Sequence, residues 1–407
     1  MSDKRTLAKT NKVAREIPCP SCEAGEMEIF YRVDSAPTNS CILLPSLEEA
    51  KNYPRGEIAL GFCSECGFIS NTAFDERLTE YSGRYEETQG FSGTFNKFHT
   101  RLAEQLIEKH DLRNKEVLEI GCGKGEFITL LSELGNNQGI GFDPGYHEGR
   151  NQSQRAAENV RFIKDFYSER YSQYQADFVC CKMTLEHIHQ TEDFIGTVRR
   201  AIGDRLDTII YFQIPEVIRI LRDCAFEDIY YEHCSYFSPG SLARLFRAAG
   251  FDVIDIYDEY DGQYLAIEAR PRSMTTDQVA LPQEEDLGLL RDYVSTFQDR
   301  VDAKLRSWSE QLQNYKQNNK KVVLWGSGSK GVSFLTTVAG SDVIEYVVDI
   351  NPYRQGYYMS GTAQKIVAPE FLQSYRPDAV VIMNAIYHDE IAQELSSMGL
   401  SPEIVAL

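Results

Sequence analysis

Val117-Leu-Glu119-Ile120 runs into Gly121-Cys122-Gly123-Lys124-Gly125, and the reading of this stretch decides the fold of a 407-residue chain. The short apolar run predicts a buried strand, and the helix after it spans Glu126–Leu134 and stops near Gly135. Glycines between a strand and a helix let the backbone turn tightly and approach a ligand at the helix N-terminus. Such a loop alone fits several nucleotide-like ligands. Outward from it, Gly139-Ile-Gly141-Phe-Asp143 ends a second strand. Val160–Ile163 leads to Asp165 and Phe166. Asp177–Cys181 leads to Lys182-Met-Thr-Leu-Glu-His187, and Thr208–Ile214 leads to Pro215. Ser238–Gly250 has a serine cap, a proline at the first position and a terminal glycine, which together predict a helix. Phe251–Tyr257 and Gln263–Glu268 flank a tight turn at Asp261-Gly262, so they form a hairpin and must pair antiparallel at the sheet edge.

An all-parallel dinucleotide fold does not end in a hairpin. The order resembles class I methyltransferases, an α/β fold with a Rossmann-like sheet. The acids agree with this. Glu119 precedes the loop, and a carboxylate there suits the ammonium and sulfonium of S-adenosylmethionine and disfavours a pyrophosphate. Asp143 is placed to accept both ribose hydroxyls. The expected cofactor residues are Glu119, Gly121, Gly123, Gly125, Asp143, Asp165 and Phe166.

Two C-x-x-C knuckles precede this domain, Cys19-Pro-Ser-Cys22 and Cys63-Ser-Glu-Cys66. Four thiolates complete a tetrahedron around Zn²⁺ and leave no open position, so the expected site is structural. Cys41, between the knuckles, is a weak candidate for a fifth thiol. Four unrelated cysteines or a redox pair are the alternatives.

The organisation expected is a flexible tail over 1–18, a zinc-binding part over 19–75 and the methyltransferase domain over 76–271. A polar linker and packing helix follow over 272–318, then a second Rossmann-like domain over 319–407. The helix carries an apolar stripe of Leu287, Leu289, Leu290, Tyr293, Phe297, Val301, Leu305, Trp308 and Leu312. In the last part, Val322–Trp325 precedes Gly326-Ser-Gly328-Ser-Lys330-Gly331, and Asp349 closes the next strand. This fits a dinucleotide fingerprint, and the glycines with Lys330 suit a diphosphate. Asn384 and Tyr387 follow the strand Ala379–Ile382 and are expected at the same cleft, or as loop and cap residues.

The net charge of −19 repels phosphate backbones and anionic lipid, so nucleic acid and membrane are poor partners. A small molecule is the expected substrate. With 42% hydrophobic residues the chain is globular, and no stretch reads as a signal peptide or membrane span. Ten cysteines without an export signal point to a reducing, cytoplasmic setting.

Tyr230-Tyr231-Glu232-His233-Cys234-Ser-Tyr236 is the most specific local motif. With the three-part layout it makes the chain, from about Cys19 to Leu407, similar to the sugar C-methyltransferases. These enzymes act on nucleotide-linked deoxysugars in bacteria. The resemblance implies His233 as base, with Glu232 and Tyr230 positioning the substrate or stabilising an enolate. It also implies Tyr85 over the cofactor's methyl end. It further implies that the C-terminal domain, through Gly326, Gly328 and Lys330, helps hold a sugar nucleotide rather than NAD. His187 is a further substrate candidate from its place at the carboxyl edge, and His189 is expected in solvent. Tyr231 stands where family members usually carry His, Cys234 where Leu is common, and the loop between the knuckles is long. These departures suggest a subgroup whose substrate need not be the usual keto-sugar. The rival readings are methylation at oxygen or nitrogen of another small molecule, in secondary metabolism or polysaccharide biosynthesis, and a non-catalytic or NAD-binding protein. A packing role for His233 and Tyr236 against the following helix is the plainer alternative.

Overall fold

A computed structural model of the protein describes residues 17–150, 156–273 and 279–407. Most of the tail expected over 1–18, and residues 274–278 of the expected linker, lie outside these.

The glycine-loop strand, Glu116–Ile120, sits near the middle of a seven-stranded sheet. From one edge the order is Phe251–Glu259, Tyr264–Pro271, Ile209–Pro215, Phe178–Lys182, Glu116–Ile120, Gln138–Phe142, Val160–Ile163. Strand Tyr264–Pro271 runs antiparallel both to its hairpin partner and to Ile209–Pro215, while the other pairs are parallel. This is the expected class I arrangement. Tyr260, Asp261 and Gly262 all have positive φ, which closes the hairpin turn. Apolar residues of both faces are covered: Phe98, Leu102, Leu106 and Leu131 lie in one core, Ile195, Val198, Leu242 and Phe246 in the other.

A five-stranded, all-parallel sheet follows in the order Lys365–Val367, Ile344–Val348, Val322–Trp325, Ala379–Ile382, Glu403–Ala406. The third sheet pairs Met27–Pro37, Arg55–Cys63 and Ile69–Asn71 antiparallel, and its fourth strand comes from far along the chain. That strand is Ser235–Tyr236, within the Tyr-Glu-His motif. Ile69 pairs with Tyr236 and Ser70 with Ser235. The knuckle-bearing sheet is therefore completed by the segment that carries His233.

Helix Leu287–Gln317 ties the first and last sheets together. Leu290, Phe297, Val301, Trp308 and Leu312 are buried in a core shared with Leu60, Ile69, Val322 and Phe334. Leu289 leaves the expected stripe and is 43% exposed. Adjacent helical residues point about 100° apart, so Leu289 and Leu290 cannot both face one core. Among the described residues no helix is long and apolar enough to cross a membrane.

Phe297 packs edge-on to Phe30 and Tyr31 at 5.8 and 5.3 Å. Replacing it with Ala should cost about 3–5 kcal/mol in urea unfolding of the full chain. Leu289→Ala should stay within about 0.5 kcal/mol.

Candidate active site

A cavity of about 1190 Å³ opens at the carboxyl edge of the seven-stranded sheet and is closed by the other two parts. Ligands of open α/β sheets bind at this edge because the strand-to-helix loops gather there.

The glycine loop forms one wall. Gly121 has φ +70°, and a Cβ there would lie 2.0 Å from Thr184 Oγ1. Asp143 accepts from Gly123 N at 2.9 Å and Gly145 N at 2.7 Å, so its carboxylate fastens both loops. Glu119 lines the wall and accepts from Ile128 N at 2.9 Å. Burial pushes its carboxyl up from the ordinary range. Lys124 lines the same wall but its ammonium is engaged, donating to Tyr85 O at 2.8 Å and Glu87 at 3.2 Å. Glu87, Glu119, Glu126 and Asp143 thus leave an acidic wall, which fits a ligand carrying ammonium and sulfonium. Gly125 does not line the cavity. It starts the helix at φ +85° with Phe162 packed where a Cβ would go, so it serves the turn. Asp165 lines the rim and accepts from Phe166 N, from Tyr171 OH and from Arg170. Phe166 is 62% exposed beside it.

The middle of the cavity holds the histidines. Tyr230 OH lies 2.8 Å from His233 Nε2, and both side chains line the cavity. The helix cap belongs to Ser238, whose side chain pairs reciprocally with Ser241, so His233 is not needed there. His187 Nδ1 is 3.0 Å from the carbonyl of Glu232 and 3.0 Å from Tyr81 OH. A carbonyl only accepts, so Nδ1 carries the proton and Nε2 is left basic. The two imidazoles meet edge to face at 4.8 Å. Burial pushes His187 down to about 4 and His233 well below its usual value, so both are neutral at neutral pH.

Glu232 departs from its expected contact with substrate. It is buried behind the lining, and its carboxylate accepts from Ser40 N at 2.8 Å, Ser40 Oγ at 2.5 Å and Tyr85 OH at 3.0 Å. Tyr85 lines the cavity and is held by this bond. His189 is half-buried and stacked on Phe74 at 5.9 Å, not free in solvent.

The far wall is the second glycine loop. Gly326, Gly328, Ser329 and Lys330 line it. Lys330 is already paired with Asp228 at 3.0 Å, so it is not poised toward a phosphate as expected. Asp349 is taken by Ser327 N at 2.9 Å and by the Ser327 hydroxyl. Arg354 offers the nearer cation: it is buried, lines the cavity, donates to Ser327 O at 2.5 Å and has an unpartnered Nε. Asn384 caps Ile386 N and also donates to Gln263 at 2.7 Å, and Tyr387 OH meets Tyr260 OH at 2.8 Å; both line the cavity.

The knuckle thiols converge away from the cavity. Cys19 and Cys66 are 3.7 Å apart, Cys22 and Cys63 3.8 Å, and one ligand atom from each lies within 4.8 Å of the others. About 3.8 Å is the edge of a tetrahedron with 2.3 Å Zn–S bonds. A Cβ on Gly25 would sit 2.5 Å from Cys63 Sγ, so the turn must be glycine. Cys41 is not a fifth thiol. It faces the cavity, 3.4 Å from Ser329 Oγ.

Several lining residues escaped the sequence reading. Lys182 ends a strand, Gln213 and His99 lie inside a strand and a helix that read as packing elements, and Glu186 is in the turn after Lys182. Lys182 Nζ lies 3.1 Å from His99 Nε2 and donates to Gln213 Oε1 at 3.0 Å. Lys182 and Glu186 sit in the same loop as His187, which was the available signal.

Residues 93–256 match a family model described as a methyltransferase domain. Residues 263–401 match one described as a C-methyltransferase C-terminal domain. The C-methyltransferase NovU of Streptomyces niveus is 23% identical over 324 residues, 76% of each chain. A ubiquinone biosynthesis O-methyltransferase of Rickettsia felis is 27% identical over 128 residues, 30% of this chain and 52% of that protein. A Burkholderia thailandensis 1,6-didemethyltoxoflavin-N1-methyltransferase structure aligns with TM-score 0.34 and 20% identity, over 44% of this chain and 82% of that one.

Gly121→Ala should weaken S-adenosylhomocysteine binding in isothermal titration by tenfold or more, because the added methyl both strains φ and displaces Thr184. Wild-type affinity in this variant would show that the loop does not hold the cofactor.

Proposed function

We propose that the chain, an S-adenosylmethionine-dependent methyltransferase, is a C-methyltransferase that methylates carbon on a nucleotide-activated keto-sugar. The observation that carries this is the neutral, buried Tyr230–His233 pair, set between an acidic wall and a wall bearing Arg354.

Glu119, Asp143 and the Gly121 loop would hold the cofactor, with Phe166 and Asp165 at the rim and Tyr85 near its reactive end. When bound, S-adenosylmethionine supplies an electrophilic methyl on a sulfonium. His233 takes the proton from a carbon next to the substrate carbonyl: the C–H bond breaks, an N–H bond forms, and the electron pair stays as an enolate. Tyr230, hydrogen-bonded to the base, is in reach to donate to the enolate oxygen. Glu232 acts indirectly, by fixing Tyr85. Arg354, with the backbone of the Gly326 loop and Ser329, would receive the phosphates, while Asn384, Tyr387 and His187 bound the sugar. A divalent zinc in the Cys19, Cys22, Cys63 and Cys66 cluster would be structural, since four thiolates leave no open position.

The test is solvent exchange. With dTDP-4-keto-6-deoxyglucose and S-adenosylhomocysteine in D₂O, the protein should wash deuterium into the carbon next to the carbonyl, and His233→Asn should lower that rate about 10²-fold or more. Methyl transfer to oxygen or nitrogen without wash-in would favour the other small-molecule reading. Cys63→Ser should lose zinc by mass spectrometry. It should also lower kcat, because the strand after His233 is paired to the knuckle-bearing sheet.

A further inference from the structure

Glu186 is a buried carboxyl whose two oxygens have no hydrogen-bond partner, and it lines the cavity. A buried carboxyl without a partner is costly, and such groups are kept where their charge is used. Its nearest basic atom is His233 Nε2, 3.9 Å from Oε1. His233 Nδ1 is likewise buried and unpartnered. The juxtaposition is built into the backbone, because Cys234 N donates to Glu186 O at 2.9 Å and so locks the residue after His233 to Glu186.

We propose that Glu186 is the proton-holding partner of His233, its carboxylate balancing the imidazolium formed when the base takes a proton from substrate carbon. This rests on the reading of His233 as base. The site opposes that cation strongly: His233 is enclosed, and its neighbour His187 adds no negative charge. An ionised carboxyl about 4 Å away in a low-dielectric pocket offsets the opposition. Among the described residues no other carboxyl is paired with His233, and Glu232 is spent on Ser40 and Tyr85.

The groups facing Glu186 are Lys182, Cys181 and His187 on its own strand and loop, Tyr81 from the N-terminal side, Tyr230, His233 and Cys234 from the motif, and Tyr264 from the hairpin. Lys182 favours the carboxylate, but burial outweighs it and raises Glu186 to about 8. The sign follows: near neutral pH the pair is carboxylic acid and neutral imidazole, and only as pH rises through about 8 does the carboxylate that supports an imidazolium appear. Proton abstraction should therefore accelerate along that limb.

Histidine labelled with ¹³C at Cε1 reports the pair without a substrate. In the full chain with S-adenosylhomocysteine, the His233 resonance, assigned by its loss in His233→Asn, should shift near pH 8. Glu186→Gln should abolish that shift and leave the histidines remote from the cavity, His110, His147 and His388, unmoved. In the deuterium assay with dTDP-4-keto-6-deoxyglucose, Glu186→Gln should slow exchange about tenfold or more with little change in KM and flatten the alkaline limb, and Glu186→Asp should restore part of the rate. An unchanged His233 titration or parental exchange in Glu186→Gln overturns the proposal. So does loss of the shift on adding EDTA, which would make Glu186, His187 and His233 a cation site instead. If wild type exchanges no deuterium, the keto-sugar reading fails, and the resonance still decides the pair.

Discussion

Two residues of pairing hold the active site together. Ser235–Tyr236 is a strand only because Ile69–Ser70 lies beside it, in a sheet whose other strands come from the first 71 residues. On the other side of the motif, Phe237 bridges to Glu216 and accepts from Val217 N, which binds it to the end of strand Ile209–Pro215. Asn71 N donates to Cys234 O, and Cys234 N to Glu186 O. The motif is thus fastened to both sheets at successive residues. An imidazole carried on a free loop would lose rotational freedom at each turnover, whereas this one is placed before any ligand arrives.

The third part of the chain is joined at the same point. Ser40 Oγ lies 2.5 Å from Glu232 and 2.6 Å from Ser329 Oγ, so one hydroxyl links the knuckle-bearing sheet, the motif and the second glycine loop. Ser333 in the helix after that loop donates to the carbonyls of Phe226 and Ile229, just ahead of Tyr230. These bonds are buried and polar, and a partly satisfied polar network is more costly than an apolar contact. The three parts therefore constrain one another's positions through the residues nearest the chemistry. The division into consecutive segments, useful for reading the chain, does not follow the hydrogen bonds.

Local signals made the fold legible. The strand-glycine-helix stretch, the Asp261-Gly262 turn and the Ser238-Pro239 start each act over a few residues, and chain order then fixes the sheet. Leu289 misled because an apolar residue beside a true core position carries no mark of which way it faces. The site was legible where a motif is contiguous, as with Tyr230 and His233, which line the cavity together. It was not legible where a side chain's job depends on what lies across the cavity. Glu232 reads as a residue that positions substrate or steadies an enolate until Ser40, 192 residues earlier, is seen to occupy it. Lys330 reads as a phosphate ligand until Asp228 claims it. Arg354 sits in no motif at all, and only the folded chain brings it against the Gly326 loop.

The two glycine loops show how one backbone device can serve opposite charges. Both place backbone N–H groups at a helix start, which favours anions. At Gly121 that preference is reversed by Glu119, Asp143 and Glu87, and the one lysine of the loop is engaged by Tyr85 O and Glu87. At Gly326 the acids nearby are taken, Asp349 by Ser327 and Asp228 by Lys330, and Arg354 lies against the loop. The cavity is therefore polarised from an acidic end to a cationic end, with neutral histidines between. On the proposed reading, a cationic methyl donor and a phosphate-bearing acceptor would each be drawn to one end and repelled from the other. Their reacting atoms would then meet in the middle, where Tyr230 and His233 stand.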